Sequence, residues 1–407
     1  MFLYHFCQYY KNGEKMNQDT QTQTINLKPL FMLRNLLINS FVDRAEVVTA
    51  VIASVISGEP ALLIGEPGTA KTAIVETLAK AIRGKYFYYL LTKFTEPDEL
   101  IGPLDIAALK QGKYVRITRN KLPDADIVFL DEIFKASSAV RNILLDIILN
   151  RRFLNGDSYH TLPMLTLYTA SNEISHDEED MAFYDRLTIR VFAKPVSNTS
   201  WKELINKGLE MLMTNNDIEP VVDVKTIKSY QEVVKYRAYM ARSNTKLLNK
   251  YIEALARLEN KGVHLTDRRK IKTIIIASAI SILYAEKNIS LDSLADALLF
   301  TAVQDEDDIN TINEVIMQTG LLSYMETIQR IQTIMTELKN AMNRVKETRN
   351  IDDFKNLQIL YKEAVLELKR APKTPRIMTY VKRMIKELEE VKSFIDDYIN
   401  SLEAINF

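Results

Sequence analysis

The 407-residue sequence predicts an α/β domain on a mostly parallel sheet, then an all-helical region, then a bundle of long helices. Three observations predict it. Up to Pro195, short apolar runs alternate with helical stretches, the order that lays helices over a parallel sheet. After Pro195 the strand signals stop and the chain reads helical to Gly320. From Leu321 onward, apolar residues recur at alternating spacings of three and four, a heptad pattern. These shifts divide the chain into 1–25, 26–197, 198–320 and 321–407.

Each element has its own signal. Between Lys28 and Ile56 the pattern is helical, with Leu33, Leu36 and Leu37 on one face and Val47, Val48, Val51, Ile52 and Val55 on another. Pro60 to Ile64 is a short apolar run of the kind buried in a parallel sheet. A Gly/Pro turn follows, then a helix over Thr72 to Ile82. Tyr86 to Leu91, Ile127 to Leu130, Met164 to Thr169 and Thr188 to Phe192 read as further strands, with a helix over Ala139 to Leu149. In the last segment the stripes are Leu321 to Val345, Phe354 to Leu368 and Ile377 to Leu402. Turn chemistry near Asn350 and at Ala371 to Pro375 separates them, so they fold back as an antiparallel three-helix, coiled-coil-like arm.

Composition narrows the function. The chain carries 53 basic and 53 acidic side chains, and 47% of its residues are apolar. The balance is also local: 22 basic and 23 acidic side chains in 1–200, 16 and 17 in 201–320, 15 and 13 in 321–407. No segment has the basic excess of a dedicated nucleic-acid or anionic-membrane binder. Cys7 is the single cysteine, and His5, His160, His176 and His264 lack ligand spacing, which excludes a disulfide framework and a Cys- or His-built metal site. The greasiest stretch, Ile274 to Ala285, is interrupted by Ser278 and Ser281 and is shorter than the roughly 20 apolar residues of a bilayer span. Residues 1–25 lack the marks of a signal peptide and read as a poorly ordered leader, with Met16 an alternative start. The expected location is cytoplasmic.

The chemistry concentrates after the first strand. Gly65, Glu66, Pro67, Gly68, Thr69, Ala70, Lys71 and Thr72 stand between a buried strand and a helix, where backbone N–H groups and a helix N-terminus converge on a phosphate. Lys71 places a positive charge at the β/γ-phosphates, and the Thr72 hydroxyl is an oxygen ligand for Mg²⁺. Together with Ala73 these residues form the expected nucleotide cradle. Glycine usually precedes the lysine; Ala70 fits if the backbone there is helical, since only a positive φ demands glycine. The strand Ile127 to Leu130 ends in Asp131 and Glu132, two carboxylates at a buried strand end that call for a cation. Asp131 is placed to hold Mg²⁺ and Glu132 to orient and deprotonate an attacking water. Asn172, at the end of the next strand, is placed to hold that water against Glu132 and the γ-phosphate.

Taken together these segments resemble an AAA+ ATPase of the MoxR family, especially its regulatory ATPase variant (RavA-like) branch. The resemblance runs through Gly65 to Thr72, Phe94 to Leu104, Leu130 to Ile133, Arg152 to Gly156, Ala170 to Glu173, Tyr184 to Leu187 and Thr266 to Arg269, in the family's order across roughly 28–310. It implies an AAA+ P-loop NTPase core, a helical lid and a ring, expected hexameric, with nucleotide between neighbouring subunits. It implies that Asn172 is sensor 1, that Arg268, ahead of Arg269, is sensor 2, and that Arg186, ahead of Arg190, is the arginine finger given to the next subunit. An arginine fork suits charge spread over phosphate oxygens. Arg44 is placed near the adenine by position, and 104–117 resembles the family's helix-2 insert. The implied activity is Mg²⁺-dependent ATP hydrolysis in chaperone-like remodelling or complex maturation, with a von Willebrand factor A domain partner and a protein client. ATP over GTP rests on the resemblance alone. The rival readings are a nucleic-acid motor or loader, for which Lys110, Lys113 and Lys121 speak, and a non-hydrolysing scaffold, against which the Asp131–Glu132 pair speaks.

Overall fold

The computed structural model describes residues 26–174, 178–213, 218–322, 325–370 and 375–403. The leader with His5, Cys7 and Met16 lies outside them, as do His176 and most of the turn from Ala371. The strands are β1 (Ala61–Ile64), β2 (Tyr86–Leu90), β3 (Ile127–Asp131), β4 (Arg152–Asn155), β5 (Ser158–Thr161), β6 (Thr166–Ser171) and β7 (Ile189–Phe192). Five of them form one sheet in the order β2-β3-β6-β1-β7. Every neighbouring pair in it is parallel.

The central strands β1, β3 and β6 are buried on both faces, whereas the edge strand β2 is partly exposed. Side chains nevertheless alternate between two cores. Leu63, Phe129 and Tyr168 point to the core that contains the helix Ala45–Ser57. Leu62, Leu130 and Leu167 point to the core that contains Leu144 and Ile147 of the helix Ser138–Asn150. The helix Ala45–Ser57 is buried from Val47 to Ser57 on all sides, not on one face. It lies between the sheet and the later helices, and Tyr168 donates its hydroxyl to the Val51 carbonyl at 2.7 Å. The first core continues without a break into the helices Val224–Met240, Thr245–Asn260, Asp267–Leu283 and Leu291–Ala302.

Two details differ from the sequence reading. The strand expected from Met164 to Thr169 begins at Thr166 and runs to Ser171, with the Leu165 N–H donating to the Asp126 carbonyl at 2.7 Å just ahead of it. A hairpin, β4 with β5, precedes it. Nothing announced β5: all four of its residues are exposed, so it has no apolar alternation. The hairpin grips the insert, because Asn155 accepts from the Arg116 N–H at 2.7 Å and donates back to the Arg116 carbonyl at 3.4 Å. The insert itself is the short helix Ile106–Leu109, capped by Asp105 and flanked by one antiparallel bridge, Leu104 with Arg116.

The last three helices, Met325–Thr348, Ile351–Arg370 and Pro375–Glu403, share a core of their own, with Ile331, Leu338, Leu357 and Val391 in its seam. Lys339 pairs with Glu387 at 2.9 Å, and the Tyr398 hydroxyl donates to the Arg349 carbonyl at 3.0 Å. The first and third helices therefore run parallel and the second runs against them. Leu322 packs against both this core and the main one.

Candidate nucleotide site

The carboxyl ends of β1, β3 and β6 meet at one edge of the sheet. Ile64 sits opposite Ser171, and Leu130 opposite Thr169. The loop after β1, the Asp131–Glu132 pair and Asn172 therefore emerge side by side, at the place where open α/β sheets bind ligands.

The loop is held tightly. Gly65 has φ 153° and a Cβ there would lie 2.4 Å from the Ala193 carbonyl oxygen, so only glycine fits against β7. Gly68 has φ 81° with open space beside it, leaving its backbone accessible to a ligand. Ala70 corrects the sequence expectation. Its φ of 67° and ψ of 17° are left-handed, not helical, so the alanine occupies a conformation that favours glycine. It is the N-cap of the helix Lys71–Ile82, and its strained backbone aims the first N–H groups of that helix into the loop.

Lys71 is only 6% exposed. Its ammonium donates to the carbonyls of Gly65 at 2.6 Å and Glu66 at 3.0 Å and reaches Asn172 Oδ1 at 3.5 Å. Burial lowers its pKa, and the charges of Asp131 and Glu132 oppose that shift. Glu132 is itself left-handed, with φ 55°. Its N–H donates to Asp131 Oδ1 at 3.0 Å, while its Oε1 accepts the Asn172 amide at 2.8 Å. Lys135, which the sequence reading missed, lies 3.3 Å from Glu132 Oε2, three residues further on. Lys71, Glu132 and Asn172 thus form one connected polar cluster with Asp131 beside it. The donor set suits a nucleoside triphosphate and Mg²⁺: a glycine-gated cradle, a buried ammonium, and the hydroxyl and carboxylate oxygens of Thr72 and Asp131.

Beside the loop lies a cavity of about 490 Å³, bounded by Val42, Arg44, Pro67, Ala73, Trp201 and Leu204 among others. Arg44 is buried, and its Nε donates to the Thr69 carbonyl at 3.0 Å, so it braces the loop from behind. Trp201, 57% exposed at the start of the helix Trp201–Met213, shares this wall, which no local pattern announces.

The four arginines separate into two kinds. Arg190 is 3% exposed; its guanidinium lies over the Tyr184 ring at 3.5 Å and donates to the carbonyls of Val303 at 2.7 Å and Tyr184 at 2.8 Å. Burial pulls its pKa down to about 10. Arg269 is buried too, and its fork donates to the carbonyls of Leu187, Thr188 and Thr301. Both bind internal carbonyls and join the lid helices to the segment around β7. Arg186 is half-buried at the end of the helix Glu178–Arg186. Arg268 lies in the first turn of Asp267–Leu283, 3.5 Å from Asp185 Oδ2. Asp185 lies within the Tyr184 to Leu187 motif, but its contact with Thr266, the N-cap of that helix, is found only through space: its Oδ1 accepts the Thr266 hydroxyl at 2.9 Å.

An all-parallel sheet with a phosphate-type loop after β1, paired carboxylates after β3 and a polar amide after β6 defines a P-loop nucleotide-binding protein of the AAA+ fold. Residues 30–232 match the family model described as the MoxR domain of MoxR-vWA-beta-propeller ternary systems. The uncharacterized protein MJ0079 of Methanocaldococcus jannaschii is 30% identical over 91% of this chain and 97% of its own length. The chaperone MoxR1 of Mycobacterium tuberculosis is 28% identical over 33% of this chain and 36% of its own. The solved structure of a candidate ATPase from Cytophaga hutchinsonii superposes with a TM-score of 0.55, at 17% identity, over 72% of this chain and 95% of that one, a likeness of fold. The chain belongs to the MoxR family of AAA+ ATPases. No helix among the described residues is long and apolar enough to cross a membrane.

Proposed function

We propose that this protein hydrolyses ATP in a Mg²⁺-dependent reaction as a homo-oligomeric, expected hexameric, ring, and uses the cycle to remodel a protein client together with a von Willebrand factor A domain partner. The observation that carries the catalytic part is the 2.8 Å bond from the Asn172 amide to Glu132, next to a buried Lys71. A carboxylate aimed by an amide and set beside a phosphate cradle is arranged to accept a proton from water.

In this reading the loop N–H groups and Lys71 bind the β- and γ-phosphates, and Thr72 and Asp131 hold the metal. Mg²⁺, when bound, neutralises charge on the phosphate oxygens. Glu132 takes the proton of the attacking water, and Asn172 keeps its carboxylate in line. Arg186 of a neighbouring subunit meets the γ-phosphate, and Arg268 meets it from the same subunit. The commitment of Arg190 to Val303 and Tyr184 favours Arg186 for the first of these tasks. The vWA partner is supported by the ternary systems to which the matching domain model belongs, and the chaperone role by the name of the mycobacterial relative. The RavA-like branch is a finer placement within the same family and rests on the motifs.

Glu132→Gln tests the proposal. Nucleotide binding should persist while turnover falls by about 10²- to 10⁴-fold, the usual contribution of a positioned general base. Turnover at the wild-type rate would refute it.

A further inference from the structure

The 490 Å³ cavity borders the phosphate loop but does not share its chemistry. Its two cations are committed elsewhere. The Arg44 guanidinium donates to the carbonyls of Thr69 at 3.0 Å and Asp43 at 3.2 Å, and Lys207 pairs with Glu203 at 3.2 Å. What remains is an apolar slot beside an anion cradle. Trp201, Leu204 and Gly208, spaced by three and four, bring one side of the helix Trp201–Met213 to it. None of residues 201–210 is buried, although Trp201, Leu204, Ile205 and Leu209 are apolar. Trp201 is the single tryptophan of the chain. Its indole N–H, its one side-chain donor, is spent on the Val196 carbonyl at 3.1 Å. The ring is thus held in place, yet it stays 57% exposed. An anchored, exposed indole beside an apolar slot is a surface for stacking a flat ring.

We propose that Trp201 is a specificity-determining residue: its indole stacks on the base of the bound nucleotide and selects purine over pyrimidine nucleoside triphosphates. This rests on the nucleotide reading given above. With the phosphates on the loop N–H groups and Lys71, the base enters the adjoining slot. A bicyclic purine covers more of the indole than a single pyrimidine ring does, so it gains more from the contact. Stacking reads the face of a base and not its edge. Trp201 therefore separates large bases from small ones and treats adenine and guanine alike. The base also supplies the partner that this exposed helix lacks, tying its first turn to the loop.

The test is calorimetric titration of the full chain with Mg²⁺ and four ligands: ATP, GTP, CTP and inorganic tripolyphosphate, which has no base. Wild type should bind ATP and GTP more tightly than CTP. Trp201→Ala should weaken ATP and GTP about 5- to 100-fold, the span expected for loss of one base–aromatic stack, and CTP by less. Trp201→Phe, which keeps a ring, should recover most of the loss. Tripolyphosphate should bind wild type and Trp201→Ala equally. Ile205→Ala, on the same helix but outside the cavity, should leave ATP affinity unchanged. ATP should also quench the fluorescence of the single tryptophan, and tripolyphosphate should not. Wild-type ATP affinity in Trp201→Ala, or an equal loss for ATP and tripolyphosphate, would overturn the inference and leave the hydrolase reading intact. A wild-type chain that binds neither ATP nor tripolyphosphate would count against the nucleotide reading itself.

Discussion

Glu59 and Glu132 sit at opposite ends of the same sheet, and their surroundings could hardly differ more. Glu59, 7% exposed just ahead of β1, is closed on every side. Lys272 of the lid reaches its Oε1 and the Thr188 hydroxyl its Oε2, while its carbonyl accepts from Ser54 and Thr166. Glu132, after β3, has a left-handed backbone, one carboxylate oxygen on a side-chain amide and the other near an exposed lysine. The amino end of the sheet is an internal joint between the sheet and the helix Asp267–Leu283. The carboxyl end carries its unusual backbone angles at Ala70 and Glu132 and aims its polar groups at a common point. A polar cluster that satisfies itself contributes to folding; one held in strained geometry around a cradle is arranged for a ligand.

Three substitutions would break or sharpen that contrast. The largest effect belongs to the closed end. Lys272→Met strands the buried Glu59 carboxylate and should cost about 3–5 kcal/mol of stability, measured from the urea midpoint. Adding Glu59→Gln should recover only part of it, because the buried guanidinium of Arg151, which the Glu59 charge favours, then loses that charge. A Lys272→Met variant as stable as wild type would mean that the joint is not a joint. At the open end, Asn172→Ala should barely move the melting point but should lower turnover by about 10²-fold, as removal of one preorganised donor does. A large loss of stability in that variant would put Asn172 in the same class as Glu59. The smallest effect is at Ala70. Ala70→Gly should raise stability by up to about 1 kcal/mol, since glycine relieves the left-handed strain and its greater unfolded entropy takes back part of the gain. Destabilisation by this change would rule out a left-handed Ala70.

The same contrast explains what the sequence revealed. Gly65 to Thr72, Asp131, Glu132 and Asn172 were legible because each is fixed by a strand end, and a strand end shows as the last residue of an apolar run. β1 and β3 were legible because burial on both faces makes them apolar, and the polar Thr166 and Thr169 of β6 are satisfied internally by the Glu59 and Ala61 carbonyls. The contacts of Asp185 with Thr266 and of Lys272 with Glu59, and the place of Trp201 beside the loop, were not, because the segments involved lie far apart along the chain and no local period connects them. β5 was silent for the opposite reason: with every side chain exposed, its residues carry no pattern. The backbone of Ala70 was misread because an alanine before a helix looks like helix; the left-handed turn is imposed by the loop around it, not by the residue.

The arm has a mechanical consequence. Its three helices bury their seam on one another, and Leu322 packs against both that core and the body. Its first helix, 24 residues from Met325 to Thr348, is about 36 Å long at 1.5 Å per residue, so a 10° tilt at its root would sweep the far end through roughly 6 Å. A stiff bundle of this kind would convert a small angle at its root into a displacement as large as a side chain at its tip.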